Sequence, residues 1–508
     1  MKVHKRSEYS FINFYSGTVR SFISLILSLV ATPITLKYLG PKNYGSVRVL
    51  GEIFGNFAVL EFGIVNTLMN LFPKSIASDD RKETRSILKL GLVYYLKSSV
   101  LMVLTGTIVY FFLDNIITVE TSMVKDLRSA YAIFALTCLL APFQVFRSLF
   151  ESMGKSGTVN FSIILYSLTC STLSMLFAYM GLAMFGQAVA ILIALFFSGM
   201  YLVYKSPFKL SSVFKEKTLN AKKDFWKIGV SSYISDIAGR LCLFSDSIII
   251  SIFLGPSIVT PFYITQRLPT ILQTQLQNIG GSTWAALGNI YHQNDLELFC
   301  TRLIELSKIV AVISVSTLLP LCLLNHEFIN IWIGTQNFVS DLFNYVVILN
   351  SFFLPLFTLW GWSFTSAGKI NLLTPMLVVQ AIINLSLNIF LTKNYGSIGP
   401  VLATLCSYVL IPSWWIPILM KKYYRISFLK IVFAWLPSMI IGICLFLLIK
   451  NFLYPLSKVD NYIKFFFFYI IYFSVSFSIL YLFIFNKEEK RIIKERLNKI
   501  LNKFKLVR

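Results

Sequence analysis

The sequence has few charged residues for its length, and acidic residues are the scarcest. Only 14% of its 508 residues are Asp, Glu, Lys or Arg, whereas soluble globular proteins contain about 25%. The 23 acidic residues are half as many as the 46 Lys and Arg, which leaves a net charge of +23. This shortage of charge excludes an ordinary soluble domain. The basic excess does not indicate a nucleic-acid partner, because most Lys and Arg stand in short clusters between apolar segments.

Histidine and paired cysteines are also lacking. The chain contains three His and seven Cys, scattered along its length, and most of the cysteines lie inside apolar segments. An odd number of cysteines without paired spacing argues against a disulfide framework, and so few histidines cannot form a metal cluster. The sequence therefore predicts no metal site, no cofactor and no catalytic residue.

Apolar segments fill the chain instead. Hydrophobic residues make up 56% of it, and the mean hydropathy is +0.70. Crossing a bilayer takes roughly 20 apolar residues, and hydropathy predicts about 14 such spans. They lie near 11–36, 45–72, 86–113, 129–150, 158–181, 184–204, 225–253, 258–288, 303–324, 343–366, 371–392, 397–420, 428–450 and 463–485.

The distribution of basic residues predicts the orientation. Clusters occur at the start of the chain, at Lys74–Lys89, at Lys205–Lys227, at Lys421–Lys430 and from Lys487 onward. With 14 spans these clusters all fall on one side, and basic loops remain cytoplasmic. We therefore expect both termini to be cytoplasmic.

Short motifs repeat at a nearly constant offset. Leu39-Gly40-Pro41 recurs as Leu254-Gly255-Pro256, and Ser152-Met153-Gly154-Lys155 recurs as Ser366-Ala367-Gly368-Lys369. The predicted fold is an all-α integral membrane protein with two pseudo-symmetric six-helix lobes, related as parallel repeats, and two further helices. The predicted segments are an N-lobe (1–204), a basic cytoplasmic linker (205–224), a C-lobe (225–420), the added helices (428–486) and a tail (487–508). The tail is either a basic amphipathic helix on the inner leaflet or a solvated segment.

Polar residues inside the spans concentrate in the first, second, seventh and eighth helices. Ionisable groups at membrane depth are costly and normally face a cavity or a partner. The candidate substrate-binding residues are Arg20, Ser24, Arg48, Arg240, Gln266, Arg267, Gln273 and Gln277. The candidate coupling or gating residues are Glu52, Glu61, Asp236 and Asp246.

The chemistry of these side chains suggests a phosphorylated, glycosylated ligand. Guanidinium groups bind phosphate oxygens two at a time, so the arginines suit a diphosphate. Gln and Ser side chains suit sugar hydroxyls. The alternative is that Arg48 with Glu52, and Asp236 with Arg240, are i,i+4 pairs that only neutralise each other.

Several motifs resemble the bacterial polysaccharide branch of the multidrug/oligosaccharidyl-lipid/polysaccharide (MOP) exporter superfamily, the O-antigen flippases. They are Tyr38-Leu39-Gly40-Pro41-Lys42-Asn43-Tyr44-Gly45, Leu60-Glu61-Phe62-Gly63-Ile64-Val65-Asn66, Arg147-Ser148-Leu149-Phe150-Glu151-Ser152-Met153-Gly154-Lys155, Phe253-Leu254-Gly255-Pro256 and Tyr263-Ile264-Thr265-Gln266-Arg267-Leu268. The resemblance implies alternating access in the bacterial cytoplasmic membrane. Its implied substrate is an undecaprenyl-diphosphate-linked glycan, and its implied partners are the bilayer and other polysaccharide-assembly proteins. It also implies that Arg20, Arg48 and Arg267 line the cavity.

Three other functions compete with the flippase. A cation-coupled drug or small-molecule exporter of the same superfamily would need its acidic groups and not its arginines. A membrane-embedded glycosyltransferase or polymerase would need paired carboxylates or a large outer loop, and Asp295-Leu296-Glu297 is the nearest approach to an acidic motif. A scaffold without transport activity would gain nothing from charges at membrane depth.

Overall fold

The structure is a computed structural model that describes residues 3–216, 233, 237, 239–240, 245–456, 458–492 and 494–495. These residues contain helices and no strand, which confirms the predicted all-α class. Asp236, the predicted linker beyond residue 216 and most of the predicted tail lie outside the described residues, so the prediction of an amphipathic tail stays untested. The helices are α1 (Val3–Phe57), α2 (Ile64–Ala77), α3 (Arg81–Phe111), α4 (Leu113–Ile116), α5 (Thr121–Thr137), α6 (Phe143–Ser152), α7 (Ser156–Tyr179), α8 (Ala183–Lys205), α9 (Leu210–Phe214), α10 (Asp246–Leu254), α11 (Pro256–Thr265), α12 (Arg267–His292), α13 (Leu296–Trp332), α14 (Asp341–Ser366), α15 (Thr374–Tyr395), α16 (Gly399–Leu410), α17 (Pro412–Tyr424), α18 (Phe428–Leu448) and α19 (Tyr462–Ile484).

The described helices confirm a multi-pass membrane protein. Nine of them are long and apolar enough to cross a bilayer, or ten if one bent pair is counted as a single span. Two of the nine stretches, Ser16–Glu61 and Ile370–Tyr424, contain 46 and 55 residues, about twice the length that one crossing requires. The predicted span 225–253 lies largely outside the described residues, and α12 is too polar to be counted as a membrane-spanning helix by its hydropathy. The number 14 therefore stays a prediction.

Two predicted spans contain breaks. The predicted span 45–72 is interrupted at Phe62 and Gly63, which both adopt left-handed backbone conformations, and the chain continues as α2. The predicted span 129–150 bends by 43° between Thr121–Leu140 and Phe143–Ser152. Pro142 stands at this bend, where its ring cannot be accommodated in a regular helix.

The repeat in sequence is accompanied by a repeat in backbone conformation. Four positions with positive φ recur after 214 or 215 residues. The pairs are Gly40 (73°) with Gly255 (86°), Asp79 (53°) with Asn294 (62°), Gly154 (71°) with Gly368 (70°), and Gly181 (76°) with Gly396 (69°). Each position lies in a turn between helices or at a kink. The same left-handed turns thus end corresponding helices in the two halves of the sequence.

Helix caps follow the same repeat. The side chain of Asp80 accepts hydrogen bonds from the backbone N–H groups of Lys82 and Glu83, and α3 begins at the next residue. Asp295 accepts one from the backbone N–H of Leu298, and α13 begins in the same way. An acidic cap satisfies N–H groups that have no partner within the helix and complements the helix dipole.

The chain divides into two compact units. The first comprises Met1–Pro261 and Leu377–Pro400, and the second comprises Phe262–Met376 and Val401–Arg508. These units group residues by proximity and do not test the predicted lobe boundaries, which remain a prediction.

In the first unit, α2 is amphipathic and provides part of the core. Leu68, Leu71 and Phe72 pack against Ile87 of α3 and Phe146 of α6 in one buried cluster. Such a face of apolar residues three and four positions apart fixes how α2 lies on its neighbours.

In the second unit, α13 is the central helix and contacts α14, α18 and α19. The indole N–H of Trp360 donates to Ser307 Oγ at 2.9 Å. Asn325 donates to Asn344 Oδ1 at 2.8 Å and to the carbonyl of Thr265 at 2.9 Å. Buried amides that are paired in this way fix the register of helices in a membrane protein.

A close backbone approach generates the first testable prediction. A Cβ atom at Gly45 would lie 1.9 Å from the carbonyl oxygen of Pro256, whereas one at Gly51 would meet nothing within 4 Å. We expect Gly45→Ala to lower the free energy of unfolding by about 1–3 kcal/mol through overpacking. Gly51→Ala is the matched control on the same helix and should be neutral or stabilising by up to about 1 kcal/mol. Thermal unfolding of the detergent-solubilised variants measures this difference, and equal midpoints would contradict the described approach.

Candidate functional site

The structure distributes the predicted site residues over both units. Arg20, Ser24, Arg48, Glu52, Glu61, Arg240 and Asp246 belong to the first unit, and Gln266, Arg267, Gln273 and Gln277 belong to the second. A single cavity lined by the first, second, seventh and eighth helices stays a prediction.

Arg48 and Arg267 have the same local environment. Arg48 Nη2 donates to Tyr44 Oη at 3.0 Å, and its guanidinium lies 5.3 Å from the centroid of that ring. Arg267 Nη1 donates to Tyr263 Oη at 2.5 Å, with its guanidinium 5.4 Å from that ring centroid. In both cases the tyrosine stands one turn before the arginine. A cation held over an aromatic ring is partly compensated by the negative face of that ring.

Arg20 lies near a second arginine that the candidate list does not include. The charged groups that act on Arg20 are Arg147 of α6, which has the same sign, and Glu151, which has the opposite sign. Arg147 Nε donates to Glu151 Oε1 at 3.0 Å, and both side chains are partly exposed. We call Arg20, Arg147 and Glu151 the arginine cluster. It carries two positive charges against one negative charge.

Part of the polar stripe on α1 serves helix packing. Ser24 Oγ lies 2.9 Å from Ser167 Oγ of α7. Asn160 of the same helix donates to Ser16 Oγ at 2.8 Å. Ser24, a predicted ligand-binding residue, thus also takes part in a contact between two helices.

Arg240 and Glu61 lie near the buried Tyr95. Arg240 Nη1 donates to the backbone carbonyl of Gly55 at 3.4 Å. Tyr95 donates to Glu61 Oε2 at 3.4 Å, and Arg240 and Arg147 both act electrostatically on this tyrosine. Glu61 therefore faces a region of positive charge within the first unit.

Two carboxylates meet near the start of α10. Glu52 accepts hydrogen bonds from the backbone N–H of Ser247 at 3.0 Å and from its hydroxyl at 2.5 Å. Asp246 accepts from Asn388 Nδ2 at 2.6 Å, and Thr392 donates to Asn388 Oδ1 at 3.0 Å. Glu52 and Asp246 also act on each other electrostatically. Negative charge is favoured at a helix N-terminus, which helps to hold both acids inside the protein.

The first unit also contains a cavity of about 550 Å³. Its walls are mainly apolar and come from α1, α3, α5, α6, α7 and α8. Its polar lining residues include Glu61, Gln144, Arg147 and Tyr166. The cavity thus combines an apolar volume with a charged margin, a combination that suits an amphipathic ligand.

The predicted glutamines of the second unit lie on or next to α12. Gln277 Nε2 donates to Thr358 Oγ1 of α14 at 3.0 Å, and Gln266 Nε2 donates to the carbonyl of Phe262 at 3.3 Å. Gln273 is partly exposed. Within the described ranges, no group of three or more His, Cys, Asp and Glu side chains is arranged to hold a metal ion.

The match to a known family covers more than half of the chain. Residues 13–285 match the family described as polysaccharide biosynthesis protein. The chain belongs to this family. The uncharacterized membrane protein EpsK of Bacillus subtilis (strain 168) is 21% identical over 365 residues, which cover 69% of this chain and 71% of EpsK.

Solved structures show the fold of this family member. The lipid II flippase MurJ in an inward closed conformation matches with a TM-score of 0.64 and 14% identity, over 91% of this chain and 97% of that one. An inward-facing multidrug resistance MATE family transporter of the MOP superfamily matches with a TM-score of 0.63 and 14% identity, over 79% and 99%. A MOP superfamily transporter from Pyrococcus furiosus Vc1 (DSM3638) gives a TM-score of 0.60 at 13% identity, over 82% and 96%. The fold is therefore that of MOP superfamily transporters, as the motifs predicted.

Arg147 and Asn388 were not among the site residues predicted from the sequence of this polysaccharide biosynthesis family member. Arg147 and Glu151 belong to one of the family-like motifs, and their i,i+4 spacing is the sequence signal for their ion pair. Asn388 stands in a span without charged neighbours, and only the packing of α15 against α10 brings it to Asp246.

The Glu52 contact predicts a structural effect. Glu52→Ala leaves the buried backbone N–H of Ser247 without its acceptor, so we expect a loss of about 1–3 kcal/mol in the free energy of unfolding. Glu52→Gln retains one acceptor oxygen and should lose less. Glu120→Ala is the control, because Glu120 pairs with Lys42 in an exposed position and such pairs contribute about 0–1 kcal/mol. Thermal unfolding measures all three, and a loss at Glu52 no larger than at Glu120 would refute this role.

Proposed function

We propose that this protein is a flippase for undecaprenyl-diphosphate-linked oligosaccharides. It moves them across the bacterial cytoplasmic membrane by alternating access, for the biosynthesis of surface polysaccharides of the O-antigen type. The protein acts as a transporter and not as an enzyme. Its partners are the lipid-linked glycan, the bilayer and other polysaccharide-assembly proteins.

The arginine cluster is the observation that carries the proposal. Arg20 and Arg147 act on each other although both are positive, and Glu151 offsets only one of the two charges. The cluster therefore keeps a net positive charge, which a bound anion would neutralise. A diphosphate fits best, because two guanidinium groups can each contact its oxygens in pairs.

The family and the fold support the glycan part and the lipid part of this substrate, respectively. Membership in the polysaccharide biosynthesis family supports a glycan, and the shared fold with a lipid II flippase supports a lipid carrier. Arg48, Arg240 and Arg267 are further candidate groups for binding the substrate, with Gln266, Gln273, Gln277 and Ser24 as neutral polar groups. Glu61 acts as a gate beside Tyr95.

The two carboxylates favour a second candidate, a cation-coupled exporter of small molecules. Glu52 and Asp246 interact electrostatically, and Asp246 accepts a hydrogen bond from the side-chain amide of Asn388. Together with Asp236 they are the groups through which a cation drives transport. They are compatible with either cargo, so the cargo must be tested directly.

Transport by the purified protein distinguishes the two candidates. In liposomes containing a fluorescent undecaprenyl-diphosphate sugar, we expect Arg20→Ala and Arg147→Ala to slow translocation at least tenfold. Arg20→Lys should restore it only in part, because an ammonium group lacks the bidentate fork. Arg128→Ala is the control, since Arg128 is an exposed residue that pairs with Asp114. The exporter would be supported instead if the protein moved no lipid but exported a soluble amphiphile in a cation-dependent way, and if this export required Asp246.

Labelling of introduced cysteines tests the proposed topology. In a variant without the seven native cysteines, Ser78→Cys and Lys155→Cys lie in turns that we place in the cytoplasm. Glu120→Cys and Leu182→Cys lie at the opposite ends of the helices that those turns connect, and all four positions are exposed. A membrane-impermeant maleimide should label the second pair in intact cells and the first pair only after permeabilisation. The reverse pattern would invert the proposed orientation.

A further inference from the structure

Helix α12 presents an exposed polar face. Thr270, Thr274, Asn278 and Ser282 are all exposed and follow one another at intervals of four residues, which places them in one inclined row about 18 Å long. Thr274 and Ser282 donate their hydroxyl protons to the backbone carbonyls of Thr270 and Ile279, which leaves the oxygens of these hydroxyls as exposed acceptors. Exposed acceptors and the exposed amide of Asn278 are costly to place against hydrocarbon. This row, here called the polar row, therefore borders water or a polar ligand.

The opposite side of α12 is packed against α14. A Cβ atom at Gly280 would lie 3.2 Å from the Cα atom of Leu359, and Gln277 donates to Thr358. A Cβ atom at Gly281 would meet nothing within 4 Å. The helix is thus fixed on one side and open at Gly281 on the other.

The polar row is neutral as well as polar. From Leu268 to Tyr291 the sequence of α12 contains no Asp, Glu, Lys or Arg. Asn278 Nδ2 donates to Gln275 Oε1 at 3.3 Å, so neighbouring amides order each other. Amides and hydroxyls both donate and accept hydrogen bonds, which suits uncharged polyols better than anions.

Two tryptophans border the open side. The ring centroids of Trp284 and Trp362 lie 5.5 Å apart, and Trp284 is 39% exposed. Gly280 permits this arrangement, because a Cβ there would lie 3.4 Å from Cδ1 of Trp362. The C–H face of a sugar ring carries partial positive charge and packs against the negative face of an indole. An exposed indole beside neutral hydrogen-bonding groups therefore provides both contacts that a sugar ring offers.

We propose that the polar row, Gly281 and the Trp284–Trp362 pair form the surface that binds the sugar units of the lipid-linked substrate. This inference rests on the proposed function and divides the recognition of the substrate by charge. The arginines bind the diphosphate, and the face of α12 binds the glycan. The open space at Gly281 accommodates a sugar ring next to Trp284.

Binding to the purified full-length protein in nanodiscs tests the division. The two probes are undecaprenyl diphosphate without sugar and the lipid-linked saccharide fraction extracted from the bacterium that makes the protein. We expect Trp284→Leu to weaken binding of the saccharide-bearing lipid about three- to tenfold and to leave binding of undecaprenyl diphosphate unchanged. Trp284→Phe keeps an aromatic face and should retain most of the affinity.

A control variant and a competitor sharpen the result. Trp414 of α17 is 56% exposed and stacks on Phe428 of α18. It belongs to neither the polar row nor the Trp284–Trp362 pair, so Trp414→Leu should change neither affinity. The free oligosaccharide, released from the lipid by mild acid, should compete with the saccharide-bearing lipid for the wild type and not for Trp284→Leu. If Trp284→Leu weakened the binding of both lipids equally, or of neither, the proposed sugar-binding surface would be wrong. The proposed flippase function would not be affected by either result. A wild type that binds neither probe would contradict the proposed function itself.

Discussion

Charged and polar groups inside hydrocarbon must find partners within the protein or border water, and the rest of this structure depends on that constraint. Glu52 and Asp246 satisfy it at the start of α10, where Ser247 and Asn388 donate to them. Arg48 and Arg267 satisfy it with a tyrosine one turn earlier. Arg20 is different, because the charged groups that act on it are a second cation, Arg147, and only one anion, Glu151. An anionic ligand would neutralise the remaining positive charge of the arginine cluster, and the proposed function rests on that charge.

The same constraint explains why the fold class could be predicted from the sequence. Only helices satisfy their own backbone within lipid when no closed barrel forms, so long apolar segments indicate helices directly. The Gly-Pro motifs at Gly40 and Gly255 mark turns because both glycines adopt positive φ. Breaks inside spans were harder to place. Pro142 signalled the bend in the fourth span, whereas Phe62 adopts a left-handed conformation that no residue preference announces.

The candidate site was less predictable, because periodicity identifies a polar face and not its neighbour. Ser24 shares a face with Arg20, yet its hydroxyl contacts Ser167 of α7. Arg147 and Asn388 join the candidate groups only through the packing of helices that are far apart in sequence. The sequence did show that the eighth predicted span, which contains α12, is rich in polar residues. Its openness at Gly281 and its pair of tryptophans depend on how α14 lies against it.

The affinity of the purified protein for lipids that differ only in their headgroup tests the central claim most directly. Undecaprenyl diphosphate, undecaprenyl phosphate and undecaprenol share one tail, so any difference reports the anion site. If paired guanidinium groups hold the diphosphate, it should bind at least tenfold more tightly than the alcohol, with the monophosphate between them. Added salt should weaken this preference. Equal binding of all three lipids would contradict the account, because the arginine cluster would then hold no phosphate.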